Sequence, residues 1–123
     1  MYVQGEALTV TTAADGSATA YTANIYNGRV LQVRYVKSNY SNGVDFDVTA
    51  EGSGAVIWDQ DNVNASATIC PRQATSDTLG VASLYAAVGE PVEDYVWVRD
   101  ERIKVVLASG GSATSGVFHF MVG

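Results

Sequence analysis

The chain has 123 residues, a formal net charge of −6 and a single cysteine. That length suits one domain, residues 1–123, able to bury about two-thirds of its unfolded surface without covalent staples. Seven basic residues spread along an acidic chain argue against a nucleic-acid partner, and one cysteine excludes an internal disulfide or a thiolate zinc site.

Eighteen valines and ten threonines stand beside two lysines, two prolines and twelve glycines. β-Branched side chains fit a pleated sheet and glycines serve turns, so the composition is that of an all-β protein. In chain order, residues 7–12 predict a strand with Leu8 and Val10 on one face. Ala14-Asp15-Gly16-Ser17 predicts a tight turn that returns residues 18–23 as its partner. Asn27-Gly28 breaks the chain before a central strand at 29–37, with Leu31, Val33 and Tyr35 sharing a face. After a polar turn at 39–43, residues 44–50 alternate Val44, Phe46 and Val48 against Asp45, Asp47 and Thr49. Gly52-Ser53-Gly54 leads to a partner strand at 55–58, and 62–69 reads as an edge strand.

Residues 70–94 contain no convincing strand. Leu79 to Ala87 offers at most a turn or two of helix, limited by Gly80, Gly89 and Pro91. Loops this long inside a compact domain are usually functional, and Leu84, Tyr85 and Val92 are too apolar for a freely solvated one. A short strand at 95–98 follows. Then 102–108 and 117–122, around a Gly-rich loop, read as a closing hairpin. The fold expected is a single-domain antiparallel β-sandwich or barrel, jelly-roll-like, with about eight short strands and one long loop.

Few residues suggest chemistry. His119 is the only histidine, expected opposite Phe118 and Phe120, and has no assignable nucleophile or acid. Cys70, before Pro71, reads as a packed thiol. Asp59, Asp61, Asn62 and Asn64 offer oxygen ligands at short spacing but lack the glycine and distal Glu of a calcium loop, and Asp45 and Asp47 read as a solvated face. The loop 110–116 lacks the lysine and following helix of a phosphate-binding loop. Trp58, or Tyr95 and Trp97 near Arg99, would suit a carbohydrate platform; as core or interface anchors they need no ligand. No catalytic residue, metal or cofactor is expected. Met1-Tyr-Val-Gln-Gly-Glu lacks the basic start and apolar core of a secretory leader, and no apolar run could span a bilayer as a helix, so cytoplasmic synthesis without a membrane partner is expected.

The segments Asn62-Val-Asn-Ala-Ser-Ala-Thr, Pro71-Arg-Gln-Ala-Thr, Ala82-Ser-Leu-Tyr-Ala-Ala, Glu101-Arg-Ile-Lys-Val-Val-Leu-Ala-Ser-Gly-Gly and Ser115-Gly-Val-Phe-His-Phe resemble small all-β structural proteins of tailed bacteriophages. The resemblance covers most of the chain and is strongest in its second half. It implies a non-enzymatic virion protein, assembled in the host bacterial cytoplasm. The role expected first is capsid decoration or cementing by a homo-oligomer, with a trimer favoured, bound to the major capsid protein or other virion proteins. A head–tail connector or tail component and a carbohydrate-binding module for host adsorption are the alternatives. Tyr2 and Val3 near the N-terminus, with Leu84, Tyr85, Val88 and Val92 in the long loop, are the interface residues expected.

Overall fold

The computed structural model describes residues 2–123 and is built from two antiparallel sheets. The strands are β1 (Gln4–Thr11), β2 (Ala18–Tyr21), β3 (Tyr26–Lys37), β4 (Val44–Ala50), β5 (Val56–Val63), β6 (Ala67–Ile69), β7 (Arg72–Ala74), β8 (Glu93–Glu101), β9 (Ile103–Ala108) and β10 (Ser115–Val122). A six-stranded sheet runs β1-β10-β3-β8-β7, with β6 sharing an edge of β3, and a four-stranded sheet runs β2-β9-β4-β5. First and last strands pair, and the chain changes sheet between β1, β2, β3 and β4 and again between β8, β9 and β10, with β4–β5 a hairpin within one sheet, which is jelly-roll wrapping. Strands β6 and β7 are an addition between β5 and β8. Among the described residues ten strands form, against the eight or so expected.

Period-two alternation builds the core. Val44, Phe46, Val48 and Ala50 of β4, Ile103, Val105 and Leu107 of β9, and Phe118, Phe120 and Val122 of β10 all point between the sheets. The Phe46 ring lies at their centre, 4.8 Å from Trp58, 5.1 Å from Tyr35 and 5.2 Å from Phe118 between ring centroids. Burying such rings is the largest stabilising contribution a small sandwich has.

Several expectations about pairing are corrected. Strands β1 and β2 are not hairpin partners, because β1 pairs with β10 and β2 with β9. Strands β9 and β10 are likewise not a closing hairpin, since they lie in different sheets. The turn at Asp15-Gly16 and the Gly-rich loop are both corners between layers, and they bind each other. Thr12 turns inward, donates its Oγ1–H to Gly111 O at 2.6 Å and accepts the Thr114 N–H at 2.8 Å, while Gly110 N–H donates to Gly16 O at 3.0 Å. Those bonds are available only if the chain changes sheet at that point.

Bulges account for the remaining differences. Asn27-Gly28 does not break the chain: Gly28, at φ +138, lets β3 continue, and Asp100 N–H donates to Asn27 Oδ1 across the irregularity. Leu31 is the extra residue where β3 shifts register against β10, so Val30 and Val33 face inward and Leu31 leaves the core face. Strand β5 runs through the polar stretch 59–62, where Asn62 sits at φ 56. Cys70 is exposed rather than packed, because Pro71 takes the buried position as the chain passes from β6 to β7.

Candidate functional site

The stretch 70–94 is the largest correction. It forms no helix; it is an ordered β-ribbon that continues β7 and β8 beyond the sheet. Thr75 N–H and Oγ1–H both donate to Val92 O, Ser83 N–H donates to Thr75 O, and Val92 N–H donates to Ser83 O, so three short segments meet at the ribbon's base. Two tight turns fork from there. In the first, Gly80 N–H donates to Asp77 O at 3.0 Å, while Asp77 Oδ1 accepts from Leu79 N and Val81 N, with Gly80 at φ +81. In the second, Tyr85 N–H donates to Glu90 O and Gly89 N–H to Ala86 O, both at 3.0 Å. The left-handed glycine at position 80 is what ends any helical continuation.

These turns hold apolar side chains out in solvent. Leu79 is 87% exposed, Val88 98% and Tyr85 76%, with Val81 and Leu84 also exposed. Of the residues expected at interfaces, Leu84, Tyr85 and Val88 sit on this ribbon, and Val92 is half-buried at its base. Tyr2, 81% exposed, and Val3 lie elsewhere, lining a depression of about 380 Å³ with Asn24, Ile25 and Tyr26. Strand β1 forms one edge of the six-stranded sheet and β7 the other, so the structure places the two groups at opposite edges. Leu79, Val81 and Ile25 were not singled out in the sequence. Their signal, an apolar residue next to a turn-forming Asp, Asn or Gly, is local and weak.

The two outer sheet faces carry opposite charge. On the four-stranded sheet, Asp47 lies directly opposite Asp59, and Asp45 and Asp61 join them around a shallow depression of about 130 Å³. Asn64 is turned away, accepting from Gly43 N at 2.7 Å through its side chain and from Lys37 Nζ at 3.2 Å through its carbonyl. Among the described residues, no three His, Cys, Asp or Glu side chains converge closely enough to hold a metal ion. On the six-stranded sheet, arginines scattered in sequence share one face, so four of the seven basic residues are gathered there despite their spread along the chain. Arg29 is opposite Trp97, and Arg72 opposite Tyr95. Arg34 is opposite His119, in a depression of about 420 Å³ floored by Gly5 and Ala7. His119 is exposed on the face away from Phe118 and Phe120. Trp58 is buried against Phe46 and leaves the candidate platform, whereas Trp97 is 55% exposed.

Perturbed acids serve the fold. Burial pushes the Glu101 carboxyl up, but N–H bonds from Ser53, Arg99 and Gly52 outweigh it and hold the group below the usual carboxylate range. Burial raises the Tyr40 hydroxyl, assisted by neighbouring Tyr35, and that hydroxyl donates to Val10 O. In comparisons with known proteins, no family model, no curated protein and no solved structure matches this chain.

Proposed function

We propose that the protein is a non-enzymatic virion component of a tailed bacteriophage. It acts as a capsid decoration or cement protein that binds the major capsid protein, and its own copies, and so stabilises the head. The observation that carries this reading is the pair of ordered apolar contact groups at opposite edges of one sheet. The ribbon presents Leu79, Tyr85 and Val88 on hydrogen-bonded turns, and the far edge presents Tyr2 and Ile25. Pre-ordered turns lose little entropy on docking, and burying each such side chain is worth about 1.5–3 kcal/mol. A chain with contacts at two edges can bridge two neighbours, and repetition at symmetric sites adds avidity. Binding only the assembled shell would raise its stability by mass action. The resemblance of residues 62–68, 71–75, 82–87 and 101–120 to phage structural proteins supports the same reading, and jelly rolls are frequent in capsid domains.

The test is addition of purified protein to heads lacking it, read by co-sedimentation and by the temperature at which the heads open. Saturable binding with a raised opening temperature is expected. Failure to co-sediment with any such head overturns the proposal, and occupancy restricted to a single ring of copies would move the protein to the neck or tail.

A further inference from the structure

Four of the five arginines, from three different strands, share one solvent face. Alternation along β8 puts Tyr95, Trp97 and Arg99 on the same side, and register then adds Arg29 from β3 and Arg72 from β7. The Arg29 guanidinium carbon lies 5.2 Å from the Tyr95 ring centre and 5.9 Å from that of Trp97, and the Arg72 carbon lies 4.1 Å from Tyr95. These contacts set rings and guanidinium groups in fixed relation. Arg34 and His119 extend the same face along β3 and β10 into the depression over Gly5 and Ala7. Arg34, Arg72 and Arg99 form no ion pair with a described carboxylate, in contrast to Arg102, which pairs with Glu51 on the four-stranded sheet's side. An acidic chain has thus collected most of its positive charge, with its most exposed tryptophan, on one face.

We infer that this outer face of the six-stranded sheet, centred on Trp97 and flanked by Arg29 and Arg72, with Arg34 further along β3, binds an acidic saccharide. A pyranose ring offers an apolar C–H face to an indole and a polar rim to hydrogen-bond donors. A carboxylate or sulfate on that rim accepts the forked N–H donors of arginine. Charge separates this ligand from nucleic acid. A phosphate at every nucleotide would meet exposed Glu93, on the same side of β8 as Tyr95, as well as the repulsion of a chain carrying −6 overall. A saccharide with sparse acidic groups meets the arginines, while charges further than about 8–10 Å away are screened at physiological salt.

The experiment is titration of the full chain with oligogalacturonate, a sialylated oligosaccharide and a sulfated oligosaccharide, against neutral malto-oligosaccharide and oligothymidylate. Intrinsic fluorescence and calorimetry are the readouts. Exposed Trp97 reports contact, since Trp58 is enclosed in the core. Saturable binding of at least one acidic saccharide is expected, with affinity falling about tenfold in Trp97→Ala, the scale of one lost ring contact. Arg72→Gln and Arg34→Gln are expected to weaken binding several-fold and to flatten its salt dependence. Should Trp97→Ala fail to fold, the Arg34→Gln/Arg72→Gln double variant carries the test. No saturable binding of any acidic saccharide, equal binding of the neutral one, tighter binding of oligothymidylate, or indifference to these substitutions overturns the inference.

Discussion

The inter-sheet corner and the projecting ribbon use the same turn chemistry and reach opposite ends. At the corner, Gly16 at φ +82 and Gly111 at φ +90 fold two loops against each other, and the polar atoms released are taken up internally by Thr12 and Thr114. In the ribbon, Gly80 at φ +81 and the Asp77 side chain shape one turn and the Gly89–Ala86 backbone bond closes the other, both just as regular, yet these expose Leu79 and Val88. A tight turn therefore says nothing by itself about role. What it is packed against decides: the corner has a partner within the chain, and the ribbon tips have none among the described residues.

The corner should break most severely at Gly116. A Cβ there would be driven into the Tyr40 ring, whose hydroxyl is committed to Val10 O. Gly116→Ala is expected to cost about 3 kcal/mol through overpacking, read as a lowered denaturation midpoint at unchanged m-value. Thr12→Val keeps the shape but leaves Thr114 N–H and Gly111 O without their side-chain partner at a buried site, costing about 2 kcal/mol. A loss below about 0.5 kcal/mol would show that the corner is not a closing device.

Glu101 closes the opposite side by receiving the N–H groups of the β4–β5 turn, Gly52 and Ser53. Its carboxyl is held below the ordinary range, so in the fold it stays ionised where an unfolded chain takes up a proton. Its contribution is complete above about pH 4.3, the unfolded value, and is lost as pH falls through the lower folded value. Glu101→Gln is expected to cost about 1 kcal/mol at pH 7 and to flatten the fall in melting temperature between about pH 5 and 3. An unchanged slope would assign that fall to the other carboxylates. Tyr35 sharpens the contrast with the opposite sign. Its hydroxyl is buried without a hydrogen-bond partner among the described residues, so Tyr35→Phe should be neutral or stabilising by up to about 1 kcal/mol in the same melts.

The all-β class was legible because Val44 to Ala50 alternates without interruption, Ile103 to Leu107 and Phe118 to Val122 depart from alternation only at Val106 and Met121, and periodicity survives any choice of partner. Pairing was not. Asp15-Gly16 and Gly110-Gly111 report only local φ, which a hairpin and a corner share, and the decision rests on where Thr12 and Tyr40 pack. Trp58 and Trp97 could not be told apart either, because the extra residue Ile57 in β5 turns Trp58 inward. The arginine face was invisible for a related reason: Arg29, Arg72 and Arg99 meet only through the β3–β8–β7 register. Tyr85 and Val88 were legible as apolar residues in an unpatterned stretch. The ribbon that orders them was hidden, since its ladder consists of isolated bridges, Ser76 to Ala82 and Leu84 to Pro91, too short to show a period.

The smallest effect on stability should therefore come from the ribbon tips, and it is the one that bears on function. Leu79 and Val88 touch solvent almost entirely, so Leu79→Ser with Val88→Ser removes little burial, and the turns themselves are held by backbone atoms and Asp77. The double variant is expected to melt within about 0.5 kcal/mol of the parent. Because those side chains are proposed to be buried in the assembled head, the same variant should lose head binding by about a hundredfold, two lost contacts of roughly 1.5 kcal/mol each. Stability and binding then part company at these two residues, whereas at Gly116 they fall together. If the double variant binds heads as the parent does, the ribbon is not the contact, and the Tyr2–Ile25 edge must carry the interaction alone.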